Sequence, residues 1–84
     1  MTKEKIITNI CYTELVYSRI NKKLNSKLTK KEIQSYILEV IENTNSSFFR
    51  KEGKNYYITN IERNICVTVN SNTFRVITVN RITK

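Results

Sequence analysis

Arginine, lysine and tyrosine are the residue types through which this chain could do chemistry. The candidates lie in its second half: Arg50, Lys51, Lys54, Tyr56, Tyr57, Arg63, Arg75 and Arg81. Unaided by metal, such residues can cleave RNA: a cation stabilises the developing phosphorane charge while a second group moves the 2′-OH proton. The catalytic set for that reaction would be Arg50, Lys54, Tyr57, Arg75 and Arg81. Strand alternation limits which of them can meet. Arg75 and Arg81 lie six positions apart, so they are expected on one face of the last strand, flanking Ile77 and Val79. Tyr56 and Tyr57 point to opposite faces, and at most one serves a given site. The plainer expectation is solvated charges at strand ends beside a core tyrosine.

Composition closes most other routes. The chain contains no His and no Asp, so neither a Ser-His-Asp triad nor a His-paired cysteine nucleophile can form. Its seven Glu are scattered, and Cys11 and Cys66 match no zinc spacing. One glycine, Gly53, cannot make a glycine-rich phosphate loop. No metal or cofactor is expected, and the balance lies against an enzyme. The two cysteines are too few for a disulfide scaffold and should be reduced, partly buried thiols behaving as small apolar residues.

Charge is the strongest positive signal. Lys+Arg number 15 against seven acids, a net charge of +8. Such an excess concentrates anionic partners at the surface and speeds their association. Two sets of candidate binding residues stand out. Lys22, Lys23, Lys27, Lys30 and Lys31 form a knot around a helix connection; Arg50, Lys51, Lys54, Arg63, Arg75 and Arg81 punctuate the second half. Lys30 and Lys31 fall in a first helical turn, where the dipole prefers anions, which hints at a use beyond folding. Phe48, Phe49, Tyr56, Tyr57 and Phe74 interleave with the second set, as stacking platforms do on sheets that hold single strands. A thin core would claim at least half of them.

Eighty-four residues make one domain, residues 1–84, burying only about 60–65% of the unfolded surface. Residues 1–45 read as a helical half and 46–84 as a β-meander. Ile6, Ile10, Tyr17, Ile20 and Leu24 recur at near-helical spacing, with Cys11-Tyr12-Thr13 as a point of interruption and Thr13 as a cap for a fresh start at Glu14. Thr29-Lys30-Lys31-Glu32 has capping-box spacing, and Ile33, Tyr36, Ile37, Val40 and Ile41 follow as one stripe; a helix is predicted from Lys30 to Asn43. Strands are predicted over Phe48–Lys51, Asn55–Glu62, Ile65–Asn70 and Thr73–Ile82, with turns at Glu52-Gly53, Arg63-Asn64 and Ser71-Asn72. Short loops force neighbouring antiparallel pairing. The fold class is therefore α+β: two N-terminal helices packed on a four-stranded antiparallel meander, one sheet face covered and the other open. Phe74 and Val76 on that open face would make a homodimer.

The hairpin Arg50-Lys51-Glu52-Gly53-Lys54-Asn55-Tyr56-Tyr57-Ile58-Thr59, with Cys66-Val67-Thr68-Val69-Asn70 and Val76-Ile77-Thr78, resembles a family of small bacterial and phage proteins known only as a domain of unknown function. Thr13-Glu14-Leu15, Arg19-Ile20 and Leu24 look similar to its first helix. The resemblance covers most of the chain and implies no activity. Asn72 and Asn80 stand where the resemblance would place histidines, so any chemistry resting on those is lost here. The element order is also similar to RelE-type ribonuclease toxins.

These readings favour a small basic binding module that docks on nucleic acid or on a nucleic-acid-handling protein complex. A phage or mobile-element inhibitor would occlude a host defence complex in this way. The alternatives are a metal-free, His-independent ribonuclease toxin and a small nucleic-acid-binding regulator. The regulator is disfavoured because Thr29–Asn43 shows an apolar stripe and no base-reading face. No apolar run nears the ~20 residues that span a bilayer. Ile6–Ile10, after the charged start Met1–Lys5, is too short and polar for a signal peptide. A cytoplasmic protein without a membrane partner is expected.

Overall fold

The computed structural model describes residues 2–82; Met1, Thr83 and Lys84, at the two ends of the expected domain, lie outside the described residues. Three helices precede four strands: α1 (Thr2–Asn9), α2 (Glu14–Leu24), α3 (Lys30–Glu42), then β1 (Phe49–Glu52), β2 (Asn55–Asn60), β3 (Ile65–Asn70) and β4 (Val76–Arg81). A single 3₁₀ turn, Ser46–Phe48, leads into β1. The strands form one antiparallel sheet in the order β1-β2-β3-β4. The α+β meander is as expected, but the helices number three.

The extra break has a physical cause. At Cys11 the backbone leaves the helix and bonds to the sheet: its N–H donates to Phe74 O at 3.0 Å, and its carbonyl accepts from Val76 N–H at 2.9 Å. Inside a helix both groups would be occupied. Thr13 then precedes α2 in extended conformation, without a side-chain cap bond. Helix α3 begins at the capping box as expected. Glu32 N–H donates to Thr29 Oγ1 and Thr29 N–H to Glu32 Oε1.

Burial assigns the two faces of the sheet. Ile58 pairs across to Val67, which pairs to Val79; Val69 pairs to Val76; all are buried. With Ile6, Val16, Ile20, Ile33, Ile37, Val40, Ile41 and Ile65 they form one core between helices and sheet. Each fully buried Ile or Val contributes roughly 1.5–3 kcal/mol from area removed from water. Phe49, Tyr56 and Phe74 pack against this core from its margin. Phe74 and Val76 therefore belong to the covered side, not to the open face on which they were expected.

The opposite face carries polar side chains in cross-strand rows: Arg50, Tyr57, Thr68 and Thr78; then Thr59, Cys66 and Asn80; then Glu52, Asn55 and Asn70. No helix covers it. Both cysteines are free and half-buried.

Turn chemistry follows the sequence at two of three hairpins. Gly53 (φ 61°) and Asn64 (φ 59°) take the left-handed positions. In the third, the left-handed residue is Phe74 (φ 58°), not Ser71 or Asn72. Its carbonyl is held by Cys11 and its ring packs on the core, so tertiary contacts set a conformation that an aromatic residue disfavours. Strand β4 consequently starts at Val76 rather than Thr73.

A register shift between Thr68 and Val69 inserts Ile77 into β4: Thr68 pairs with Thr78 but Val69 with Val76. This β-bulge breaks the period of two. Arg81 stands opposite Ile65, on the covered side with Val79 and Val76, whereas Arg75 precedes Val76 and takes the other side. The expected shared face for Arg75 and Arg81 is thus overturned.

Candidate functional site

Helix α2 packs with Val16 and Ile20 into the core and leaves Leu15, Ser18, Arg19, Lys22 and Lys23 facing outward. Residues 15, 18, 19 and 22 share one helical face. The helix runs beside β4, the last strand of the sheet. Arg19 Nη1 donates to Ile77 O at 3.2 Å, and Arg81 Nη2 donates to Leu24 O at 2.8 Å, so each element reaches to the other's backbone. Between them lies an open groove of about 670 Å³, lined by Leu15, Ser18, Arg19, Lys22, Lys23, Thr78 and Asn80. A second hollow, of about 220 Å³, continues it past Leu15 and Arg19 to Arg75.

The electrostatics of this seam are one-signed. None of its lining residues is acidic. Arg19, Lys22, Lys23, Arg75 and Arg81 make no ion pair among the described residues. Folding alone accounts for part of this arrangement. Lys22 and Lys23 sit in the last turn of α2, where the helix dipole favours cations, and the Arg81 guanidinium meets the same C-terminal end. The remaining donors of these side chains face solvent. Ser18 and Asn80 add neutral polar groups between the cations, whereas the Thr78 hydroxyl is buried without a hydrogen-bond partner.

The other expected binding residues are dispersed. Lys30 donates to Glu14 Oε2 at 2.6 Å and lies over the Tyr17 ring. That hydrogen bond raises its pKa above the ordinary lysine value. Its position in the first turn of α3 thus has a local partner, and it is withdrawn from the lysine knot. Lys31 is exposed on α3 and Lys27 on the connection before it. Arg50 pairs with Glu52 at 3.1 Å and covers the Tyr57 ring, 5.4 Å from its centroid. Arg63 pairs with Glu39 and lies over Tyr36. Lys54, in the first hairpin, accepts at its carbonyl from Ser71 N–H and Oγ. Lys51 faces a hollow of about 380 Å³ with Thr2, Lys3, Ser46, Phe49 and Tyr56. The Lys3 ammonium there is already taken by the carbonyls of Glu42 and Thr44.

The five residues of the ribonuclease set do not converge. Arg50 and Tyr57 adjoin on the open face, Lys54 sits in a hairpin loop, and Arg75 and Arg81 flank opposite ends of β4. The most perturbed phenol is Tyr12. Burial, then the neighbouring Tyr17 and Cys11, push its pKa far above that of an ordinary tyrosine. It stays protonated and cannot act as a base near neutrality. Among the described residues no group of three metal-ligating side chains occurs, and no helix is long and apolar enough to cross a membrane.

Sequence reasoning named Lys22, Lys23 and Arg75, which line the groove and its continuation, but missed Arg19, Ser18, Thr78 and Asn80; Arg81 lines neither hollow. The spacing of Leu15, Ser18, Arg19 and Lys22, opposite the apolar Val16 and Ile20, was the available signal. What the sequence lacked was the neighbour facing that stripe. No curated protein and no solved structure matches the chain, and the expected likeness to RelE-type toxins finds no support there. The family described as "Protein of unknown function (DUF3781)" matches residues 4–80, from α1 to the penultimate residue of β4, and the chain belongs to that family.

Proposed function

We propose that this protein is a non-enzymatic module that binds the phosphate backbone of nucleic acid along the seam between α2 and β4. The observation that carries the reading is the groove lined by Arg19, Lys22 and Lys23 without an acid, continued to Arg75. A phosphate diester asks for cations and hydrogen-bond donors spaced along a concave track. Ser18 and Asn80 supply the neutral donors between the cations. The failure of Arg50, Lys54, Tyr57, Arg75 and Arg81 to converge argues against a cleavage step.

Counterion release provides the test. Binding of labelled nucleic acid, followed by fluorescence anisotropy across a salt series, should show log K falling steeply with log salt. The combined reversal Arg19→Glu, Lys22→Glu, Lys23→Glu should reduce the slope by about 2–3, at roughly 0.7–0.9 per lost phosphate contact. Reversal of Lys51 and Lys54 should change it less. A wild-type affinity insensitive to salt would sink the reading.

A second reading rests on Leu15, which is 79% exposed in the middle of the seam. An apolar side chain ringed by cations suits an acidic protein surface, such as that of a nucleic-acid-handling complex whose channel this protein would occlude. Leu15→Asp would then abolish capture of that partner at any salt concentration. Nucleic-acid binding would lose only the increment of one added negative charge.

A further inference from the structure

Resting on the nucleic-acid reading, we infer that the strand is held single, with its phosphates in the α2/β4 seam and its bases laid across the open face of the sheet onto Tyr57. Three observations converge on this. The seam and the open face are continuous, because Thr78 and Asn80 line the groove and also end two cross-strand rows of that face. One row runs Thr78, Thr68, Tyr57, Arg50. Tyr57 thus stands two strands from the groove, about 10 Å at ordinary strand spacing, a separation that a splayed nucleotide spans.

Tyr57 differs from the other strand aromatics. Phe49, Tyr56 and Phe74 pack on the core, whereas Tyr57 is half-buried on the opposite face and takes no part in it. The Arg50 guanidinium lies over its ring, and Glu52 neutralises that guanidinium. Arg50 is therefore poorly suited to anchor a phosphate. As a flat cation over an aromatic ring it extends the surface on which a base can stack. Between platform and groove the face carries Cys66, Thr68, Thr78 and Asn80; Thr68 and the Thr78 hydroxyl are buried, and no bulky side chain stands in the row to block a base.

A duplex fits this arrangement poorly. Its bases are stacked inside and would not reach Tyr57, and α2 presents the wall of a groove rather than a free helix to enter a major groove. A single strand uses both halves of the site, charge for the backbone and π-surface for the base.

Anisotropy with labelled oligo(U), oligo(dT) and a duplex of equal phosphate count, using the full chain, tests this. Tighter binding of either single strand than of the duplex is expected. Tyr57→Ala should weaken single-strand binding about tenfold to a hundredfold, the usual range for one stacked base. The salt slope should not change, because no phosphate contact is removed. Tyr57→Phe, which keeps the ring, should retain wild-type affinity; circular dichroism on both variants checks the fold. Equal or tighter duplex binding, or an unchanged affinity in folded Tyr57→Ala, overturns the inference and leaves the backbone reading intact. Salt-insensitive binding, or none to any of the three probes, removes both.

Discussion

Arg19 Nη1 lies 3.2 Å from the carbonyl oxygen of Ile77, so the middle cation of the groove also fastens helix α2 to the bulge of β4. One guanidinium carries five donors and this bond takes one, which leaves the rest for a ligand. The same side chain is therefore exposed to two different kinds of failure.

Stability and binding should separate between neighbouring cations. Arg19→Ala removes a charge-assisted bond at an exposed site and should cost about 1 kcal/mol. Lys22→Ala, which loses no structural partner, should stay within about 0.5 kcal/mol. Urea unfolding measures both, and a larger loss for Lys22→Ala would show that its ammonium is structurally engaged.

Tyr12 should be improvable. Its ring stacks on Tyr17 at 5.6 Å, yet its hydroxyl is buried without a hydrogen-bond partner. Tyr12→Phe keeps the ring and removes that group, for a gain of about 1 kcal/mol, a shift of roughly 4–8 °C in Tm. The pH dependence has a definite sign. The phenol's pKa is raised on folding, chiefly by burial, so the unfolded chain ionises first and stability is lost as pH rises above the unfolded value near 10. Between neutrality and pH values above about 10, the unfolding midpoint should fall less for Tyr12→Phe than for wild type, so the gain from the substitution widens on the alkaline side.

The buried polar link between α3 and the second hairpin should be unforgiving. Asn60 Nδ2 donates to Thr44 Oγ1 at 3.0 Å, Arg63 N–H donates to Asn60 Oδ1 at 2.9 Å, and Thr44 Oγ1 donates to Val40 O at 2.6 Å. Asn60→Ala strands Arg63 N–H and removes the donor to the Thr44 hydroxyl, which keeps its bond to Val40 O, and a loss of about 1–3 kcal/mol is expected. Hydrogen exchange at Arg63 should accelerate in the same variant; unchanged protection would show that the link is dispensable.

Backbone conformation gives a cleaner case. Gly53 has φ 61° with nothing within 4 Å of an added Cβ. Gly53→Ala therefore tests conformation without crowding and should cost about 1 kcal/mol. Thr29→Ala, which loses the capping box, should cost a similar amount. Thermal melts compare the two directly.

Local rules made much of this fold legible. The Thr29-to-Glu32 spacing marked the start of α3, Gly53 and Asn64 marked two hairpins, and period-two runs gave the meander. The misses share one physical origin, contacts between elements distant in sequence. The interruption at Cys11-Tyr12-Thr13 was visible in the sequence, but the Phe74 and Val76 backbone partners that fix it were not. Phe74 adopts φ 58° because it is anchored at both carbonyl and ring. Ile77 bulges, so counting by twos from Arg75 to Arg81 lands on the wrong side. The candidate groove fared likewise: its α2 stripe was visible in the spacing of Leu15, Ser18, Arg19 and Lys22, but nothing local placed Thr78 and Asn80 opposite it.

The uncovered margin of the sheet is β1, four residues long and bearing Arg50, Lys51 and Glu52. A row so brief and so charged is a poor template for another chain's backbone. Since α2 lies along the far margin, strand-by-strand growth into fibrils has a poor foothold at either end.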